Sequence, residues 1–340
     1  MNRFSLYFTS PKEVSVHEES LPEIGPHEVL IQTYASAISP GTEIQIYRGN
    51  FPENLSIDAN LQTLQGKLSY PLKYGYSAIG QIIESGRDVD PNWKDRWVLA
   101  FQSHQSHFTA NPKDLITLPN DVKKEDAVFL PNMETAVNFL MDGGPLIGEN
   151  VAVFGQGIVG LLTTGLLARF PLNRLITLDL YHLRRLASIE IGSHACLDPN
   201  GENLADRLGE HLPGGADLTY ELSGAPSALN QAILATGFAG RIVIGSWYGK
   251  HHVGLDLGGF FHRSRIRLMC SQVSSLSPEL SGRWTKARRF EVAWNMIRKI
   301  RPSRFITHRF PLQQAEKAYQ LLDRKPNETI QILLTYHELG

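Results

Sequence analysis

The glycines that follow a short apolar segment at residues 151–154 are the first residues whose spacing points to chemistry. They belong to a G-x-G-x-x-G motif that consists of Gly155, Gln156, Gly157, Ile158, Val159 and Gly160. The first glycine of such a motif permits a tight turn, the second lets the backbone approach a pyrophosphate, and the third lets a helix pack against the strand. Free N–H groups at the start of that helix can then bind the phosphates. We therefore predict a dinucleotide site here, with an ordinary strand-to-helix turn as the alternative.

A carboxylate, Asp179, ends the next apolar segment, about 20 residues beyond the motif, as dinucleotide-binding folds require. It would accept hydrogen bonds from the adenine-ribose hydroxyls and repel a 2′-phosphate, which favours NAD(H). Arg184 and Arg185 follow soon after and could neutralise such a phosphate, so NADP(H) stays open. Exposure on a helix is the alternative for both arginines.

Two later segments end predicted strands at the edge where open α/β sheets bind ligands. Residues 220–224 contribute Ser223 as a candidate cofactor contact, and residues 245–249 contribute Gly245, Ser246 and Trp247. Trp247 and Tyr248 could form a wall of the nicotinamide or substrate site. Packing of these two aromatic rings between lobes is the alternative.

The elements that must position these residues change character near residue 125. Residues 1–125 contain short strand-like segments separated by Pro and Gly, which predicts a β-rich lobe with a long polar loop at 49–71. Residues 126–272 alternate apolar strands with helices, which predicts a doubly wound parallel sheet covered on both faces. Residues 273–340 are expected to return to the first lobe, so the predicted fold class is α/β. The longer predicted helices are 124–141, 158–170, 182–191, 227–235, 284–300 and 312–323.

Composition excludes several classes of function. With 33 Lys and Arg against 34 Asp and Glu, the 340-residue chain has no overall charge that would attract nucleic acid or a membrane surface. A local basic run at residues 283–289 is predicted to be a solvated or ion-paired helix face. Cys196 and Cys270 are far apart, which excludes a disulfide framework and fits a reducing cytoplasm. Neither a signal segment nor an apolar run of the roughly 20 residues that span a bilayer is evident.

With these motifs and this domain order, the chain resembles the medium-chain dehydrogenase/reductase superfamily over essentially its whole length. Within it, the chain looks most like the branch of threonine- and sorbitol-type dehydrogenases and bacteriochlorophyllide a dehydrogenases, and the segments 37–43 and 240–248 are most like the last group. The resemblance implies a GroES-like catalytic domain, a Rossmann domain, a homodimer and a small-molecule substrate. It also implies NAD(P)-dependent hydride transfer between nicotinamide and a secondary alcohol or ketone.

The resemblance breaks at the residues that bind zinc in many members. Ser39 stands where a first cysteine ligand would, Tyr76 stands in place of the histidine of a Gly-His-Glu motif, and residues 130–132 offer no good third ligand. Since zinc needs at least three N, S or carboxylate ligands, we expect no catalytic zinc. The closely spaced cysteines of the structural zinc loop are missing as well. His104 and His107 could share a metal, but a surface or cleft-lining role is favoured.

Without zinc, hydrogen-bond donors must stabilise the oxygen that becomes alkoxide-like during hydride transfer. Tyr76 is the predicted donor, and Ser39, Thr42 and Glu43 could form a relay beside it. A packed aromatic ring is the alternative for Tyr76, and a turn cap is the alternative for Thr42 and Glu43. The residues expected to border the substrate are Tyr47, Arg48, His104, Glu134 and Tyr248.

Two other functions stay open. A quinone or enoyl reductase of the same superfamily would deliver hydride to a conjugated acceptor without zinc. A dinucleotide-binding sensor or structural protein without catalysis would keep the glycine motif and Asp179.

Overall fold

A computed structural model describes residues 2–52 and 68–336 of the chain. The chain divides into two compact units, Met1–Pro131 with Arg301–Gly340 (unit 1) and Asn132–Ile300 (unit 2). Most of the polar loop predicted at 49–71 lies outside the described residues. No helix within the described ranges is long and apolar enough to cross a membrane.

Unit 1 is built mainly from strands, as its alternating segments predict. Elements are numbered in chain order through both units. The strands of unit 1 are β1 (Asn2–Ser10), β2 (Glu13–Ser20), β3 (Val29–Ala37), β4 (Ala78–Ser85), β5 (Trp97–Ala100), β6 (His107–Ala110), β7 (Ile116–Thr117), β14 (Ile306–Pro311) and β15 (Gln331–Thr335), and its helices are α1 (Thr42–Tyr47), α2 (Lys124–Ala127) and α10 (Ala315–Arg324).

The main sheet of unit 1 joins C-terminal strands to strands from the first part of the chain, while β1 and β2 pair in a separate sheet. In the described part its order is β14-β15-β3-β4-β5-β7, with β6 also paired to β3. The C-terminal strand β15 lies antiparallel to β3, so it is part of the same sheet. Apolar side chains of β3, β5 and β6, among them Val29, Val98 and Phe108, form a core of this unit.

Unit 2 alternates helices and strands. Its strands are β8 (Asn150–Phe154), β9 (Arg174–Leu178), β10 (Ala195–Leu197), β11 (Ala216–Glu221), β12 (Thr236–Ile244) and β13 (Arg267–Cys270), and its helices are α3 (Leu130–Gly143), which begins at the boundary, α4 (Ile158–Leu167), α5 (His182–Ile191), α6 (Leu204–His211), α7 (Ala228–Ala235), α8 (Phe260–Arg263) and α9 (Lys286–Ile300).

The sheet of unit 2 is parallel, with the order β10-β9-β8-β11-β12-β13. Counted from β8, this is the order 3-2-1-4-5-6 of dinucleotide-binding folds, which bind ligands where the strand order reverses. Separate apolar clusters cover the two faces: Phe154 and Ile176 lie in one, Val153 and Leu175 in the other. Burial on both faces explains why these strands are apolar without alternation.

Two segments differ from the sequence prediction. The helix predicted at 124–141 is two helices, α2 and α3, because Pro131 has no N–H to continue the helical hydrogen bonds through this point. The helix α9 lies in unit 2, whereas the sequence-based boundary at 272/273 places it with the C-terminal return. It packs on α4, where a Cβ on Gly165 would lie 3.0 Å from Ile300 Cδ1.

Candidate functional site

The glycine turn between β8 and α4 has three glycines with three different surroundings. Gly155 has φ +90°, and a Cβ there would lie 2.4 Å from the Cα of Ser223. A Cβ on Gly160 would lie 2.0 Å from the carbonyl oxygen of Gly155. At Gly157, by contrast, the nearest atom is Nη1 of Arg184 at 4.0 Å. The first and third glycines are therefore needed for packing, while the second leaves space in which a pyrophosphate fits.

Asp179 follows β9 and is bonded directly to the glycine turn. Its Oδ2 accepts a hydrogen bond from the backbone N–H of Gln156 at 2.6 Å, and its Oδ1 accepts one from that of Tyr181 at 2.8 Å. An ionised carboxylate has about four lone-pair positions, so each oxygen can accept a further bond from a ribose hydroxyl. Asp179 is thus placed to fit the adenosine ribose beside the glycine turn.

The two arginines after Asp179 have different surroundings. Arg185 donates through Nη1 to the carbonyl oxygens of Asp179 and Leu180 and to Asp198 Oδ2. It therefore links the segments that follow β9 and β10. The Arg184 guanidinium lies over the Tyr181 ring, 4.9 Å from its centroid, and faces the open Gly157. Burial lowers the pKa of Arg184, and the Asp179 charge opposes this effect.

The ends of β11 and β12 are cross-linked by side chains. The buried Glu221 accepts hydrogen bonds from the Ser223 N–H at 2.8 Å and from the hydroxyl of Tyr248. Ser246 Oγ accepts one from the Gly224 N–H at 2.9 Å. Burial, with the Glu221 charge next, raises the pKa of Tyr248, so its phenol stays protonated. These bonds fix the carboxyl edge of the sheet, where the cofactor contacts are predicted.

A buried polar network in unit 1 contains the predicted catalytic residues. The hydroxyls of Ser39 and Tyr76 are hydrogen bonded to each other, and Glu43 Oε1 accepts from the Ser39 N–H at 2.9 Å. Glu43 Oε2 pairs with His104 Nε2 at 2.9 Å and accepts from the hydroxyl of Tyr319. Glu43 and His104 both have 0% exposure.

The Tyr76 phenol is protonated at neutral pH. Burial is the largest effect and raises its pKa, and the Glu43 charge raises it further. Hydrogen bonds from Ser39 and Thr42 act in the opposite direction without reversing the shift. The group can therefore donate a proton or a hydrogen bond.

Comparison with known proteins bears on this arrangement. No family model matches the chain. It is 31% identical over 222 residues to an uncharacterized zinc-type alcohol dehydrogenase-like protein of Escherichia coli (strain K12), which covers 64% of this chain and 60% of that protein. It is 21% identical over 359 residues to sorbitol dehydrogenase of Homo sapiens, which covers 94% and 92%. A crystal structure of an alcohol dehydrogenase from E. coli CFT073 with NADH superposes with a TM-score of 0.79 at 19% identity, over 98% and 99% of the two chains.

These likenesses agree with the strand order and the glycine turn. The chain has the fold of the medium-chain dehydrogenases/reductases and is similar in sequence to zinc-type, threonine and sorbitol dehydrogenases. This agrees with the resemblance noted in the sequence and confirms the predicted α/β fold class, with a GroES-like and a Rossmann part. Two of the similar solved structures hold a nicotinamide dinucleotide, NADH in one and NADP in the other.

Some relatives in this superfamily are described as zinc-type, so the fit of a zinc ion matters. The Ser39 and Tyr76 side chains offer hydroxyl oxygens that are bonded to each other. Within residues 2–52 and 68–336, no three His, Cys, Asp or Glu side chains are grouped to hold a metal. These residues do not fit a zinc site with the usual ligands.

Three of the residues predicted to border the substrate have other partners. Tyr47 is buried and stacks on Tyr319, with 5.5 Å between the ring centroids. Arg48 donates through Nε to Asp323 Oδ1 at 2.6 Å. His104 is enclosed by the Glu43 network. Burial and local pairing explain these placements, which leave Tyr47 and His104 without the exposure that a substrate contact needs.

In unit 2, two further residues predicted to contact substrate or cofactor, Glu134 and Gly245, have packing roles. Glu134 is buried and accepts from Nε and Nη2 of Arg289, at 3.1 and 2.7 Å. Burial raises the pKa of Glu134, and the Arg289 charge opposes this. Gly245 is required for packing, because a Cβ there would lie 2.3 Å from Cζ of Phe139.

The sequence reasoning missed Arg289 and three partners of the Glu43 network. The basic run at 283–289 is predicted as a solvated or ion-paired helix face; Arg289 is ion-paired with Glu134, but at 1% exposure it is buried. Its spacing from Ala293, Ile297 and Ile300 puts all four on one helix face, and this signal could have identified it. Ser36, Tyr319 and Tyr336 join the network from distant parts of the chain, and no local pattern marks them.

Proposed function

We propose that the chain transfers hydride between NAD(H) and a secondary alcohol or its ketone, and that hydroxyl groups act where zinc acts in other members. The observation that carries the proposal is the hydrogen-bonded pair of Tyr76 and Ser39 hydroxyls, at the two positions where zinc ligands would stand by resemblance. The pair lies in the buried network of Glu43, and the glycine turn and Asp179 fit the dinucleotide.

The protein's part in catalysis is to handle the proton. When bound, the nicotinamide supplies or accepts the hydride. In ketone reduction the carbonyl carbon gains the hydride, and the carbonyl oxygen gains the proton of the Tyr76 phenol. Ser39 then donates a hydrogen bond to the phenolate that remains. A single positioned donor of this kind contributes a factor of roughly 10² to 10³ in rate.

NAD(H) is the favoured cofactor because Asp179 places a negative charge beside the adenosine ribose site. A 2′-phosphate at that position would be repelled, and Arg185 is occupied by two carbonyls and Asp198. Arg184 faces the site and is the residue through which NADP(H) could bind. Comparing kcat/KM for NADH and NADPH decides between them.

The test of the proposal is the substitution Tyr76→Phe. Steady-state rates with NADH and a panel of acetoin, fructose and dihydroxyacetone should show a kcat lower by about 10² to 10³ than wild type, with an unchanged Kd for NADH. Tyr7→Phe is a matched control, since it also removes a Tyr hydroxyl from a hydrogen bond in unit 1, with Glu19. Wild-type kcat in Tyr76→Phe would refute the catalytic assignment.

A quinone or enoyl reductase is the second candidate, favoured by the same lack of a fitting zinc site. Turnover of 1,4-benzoquinone together with no reduction of the ketones would make the quinone or enoyl reductase the favoured function.

A homodimer is part of the proposal too, with β13 at the edge of the described sheet available to pair with a second copy.

A further inference from the structure

We propose that Glu43 and His104 form a buried pair that positions the Tyr76 and Ser39 hydroxyls, so that both are positioning residues for the reaction. This inference rests on the proposed function. The two hydroxyls come from different segments, Ser39 from the turn before α1 and Tyr76 from the residues before β4. Their hydrogen bond therefore depends on whatever fixes the two segments relative to each other.

Glu43 fixes the Ser39 side of the pair. Its Oε1 accepts from the Ser39 N–H at 2.9 Å, which holds the backbone of the residue that carries the hydroxyl. Its Oε2 accepts from Tyr319 of α10 and pairs with His104. Each carboxylate oxygen is thus bonded, as a fully buried charge requires.

His104 fixes the Tyr76 side. The backbone N–H of His104 donates a hydrogen bond to the carbonyl oxygen of Tyr74 at 3.3 Å. Its ring lies against Gly75, where a Cβ would be 3.0 Å from the ring atoms Cδ2 and Nε2. Gly75 also has φ +130°, so a larger residue is excluded there by both space and backbone conformation. Tyr76 is the next residue, and the imidazole therefore sets the position from which its ring projects.

The hydrogen bonds of His104 have one consistent direction. Its Nδ1 is 2.6 Å from Ser36 Oγ, which is 2.7 Å from the hydroxyl of Tyr336. Tyr336 can donate to Ser36, Ser36 to Nδ1, and Nε2–H to the Glu43 carboxylate. This choice of tautomer gives each of these hydrogen bonds one donor and one acceptor.

A positioning role for Glu43 and His104 predicts a measurable change in the pKa of Tyr76 when the Glu43 charge is removed. Burial has the largest effect on the pKa of the Tyr76 phenol, followed by the Ser39 hydroxyl, the Glu43 charge and the Thr42 hydroxyl. Since that charge raises the pKa of Tyr76, its removal must lower the pKa. Because burial raises this pKa more strongly than the charge does, a control that alters packing at the same carboxylate but keeps its charge is needed to separate the two effects.

The deciding variant is Glu43→Gln, which keeps the shape of the side chain and removes its charge. We expect kcat to fall about 10- to 100-fold in the acetoin, fructose and dihydroxyacetone panel, with the Kd of NADH unchanged. Tyr76, observed by NMR of ¹³C-labelled tyrosine rings and assigned with Tyr76→Phe, should titrate at lower pH than in wild type. Tyr319→Phe is the matched control, because it removes one hydrogen bond from the same carboxylate and leaves the charge.

A second pair of variants covers the case in which Glu43→Gln does not fold. His104→Gln can keep an N–H donor toward Glu43 and should retain most of kcat, whereas His104→Leu should lose about 10- to 100-fold. Equal kcat in these two variants, or unchanged kcat and Tyr76 titration in Glu43→Gln, would overturn the inference. If Tyr76→Phe itself has wild-type kcat, the proposed function fails instead, whatever Glu43→Gln shows.

Discussion

At the scale of single residues, the three glycines of the turn separate the requirements of folding from those of binding. Gly155 and Gly160 have backbone atoms within 2.4 Å of where a Cβ would be, so the fold itself needs them. Gly157 has helix-compatible φ −64° and open space, so the fold does not. A glycine that packing does not demand is explained by a ligand whose atoms approach the backbone.

This separation predicts opposite results for two alanine substitutions. Gly157→Ala should leave the free energy of unfolding unchanged or raise it by about 0.4–1 kcal/mol, because alanine restricts the unfolded chain. Its Kd for NADH should rise at least about tenfold, since the methyl group occupies the space of the pyrophosphate. Gly160→Ala, the control for overpacking, should lose about 1–3 kcal/mol of stability. Urea unfolding and NADH fluorescence titrations measure both; wild-type NADH affinity in Gly157→Ala would contradict the assignment.

At the scale of elements, Arg289 connects three parts of unit 2. From α9 it bonds Glu134 and Asn138 of α3 and the carbonyl oxygen of Val273, which follows β13. It therefore holds the chain after the last strand against a helix, close in sequence to the carboxyl edge of the sheet. Arg288, one residue earlier, is exposed and lies over the Trp284 ring at 4.1 Å.

The neighbouring arginines allow a matched test. Arg289→Met should lower the free energy of unfolding by about 3–5 kcal/mol, because it leaves the Glu134 charge buried without its partner. Arg288→Met should cost less than about 1 kcal/mol, since its contacts are exposed. The double variant Glu134→Met with Arg289→Met should recover part of the loss. Urea denaturation gives all three values, and equal costs for the two single variants would refute a buried ion pair.

At the scale of the whole molecule, the sequence predicts the parts of the fold that repeat a local pattern. The glycine turn, the helix at 182–191 and the parallel strands follow from apolar segments of the right length. The pairing of the C-terminal strand β15 with β3 has no such local pattern.

What the sequence does not predict are contacts between distant residues. Ser36 and Tyr336 are 300 positions apart, and Glu43 and Tyr319 are 276 apart, yet both pairs are hydrogen bonded. A buried His and Glu have no periodic signature, so His104 was expected at a cleft. The network becomes visible only when the strands of unit 1 bring the two ends of the chain together.

The presence of a bound zinc ion can be tested on the whole molecule, because a bound metal stabilises the protein that holds it. Structural zinc contributes about 10–16 kcal/mol of apparent binding free energy in small domains, so its removal lowers Tm. Since the residues described here do not group into a zinc site, 1,10-phenanthroline should change neither Tm nor kcat, and the purified protein should hold far less than one zinc per chain.

The control for this experiment is the chelator with NADH already bound, which excludes an effect of phenanthroline on the cofactor site. Stoichiometric zinc together with a fall in kcat on chelation would show that the Tyr76 and Ser39 hydroxyls do not act alone. In that case the zinc ligands would not be a group of His, Cys, Asp and Glu side chains among the described residues. The role assigned to the Tyr76 phenol would then be lost.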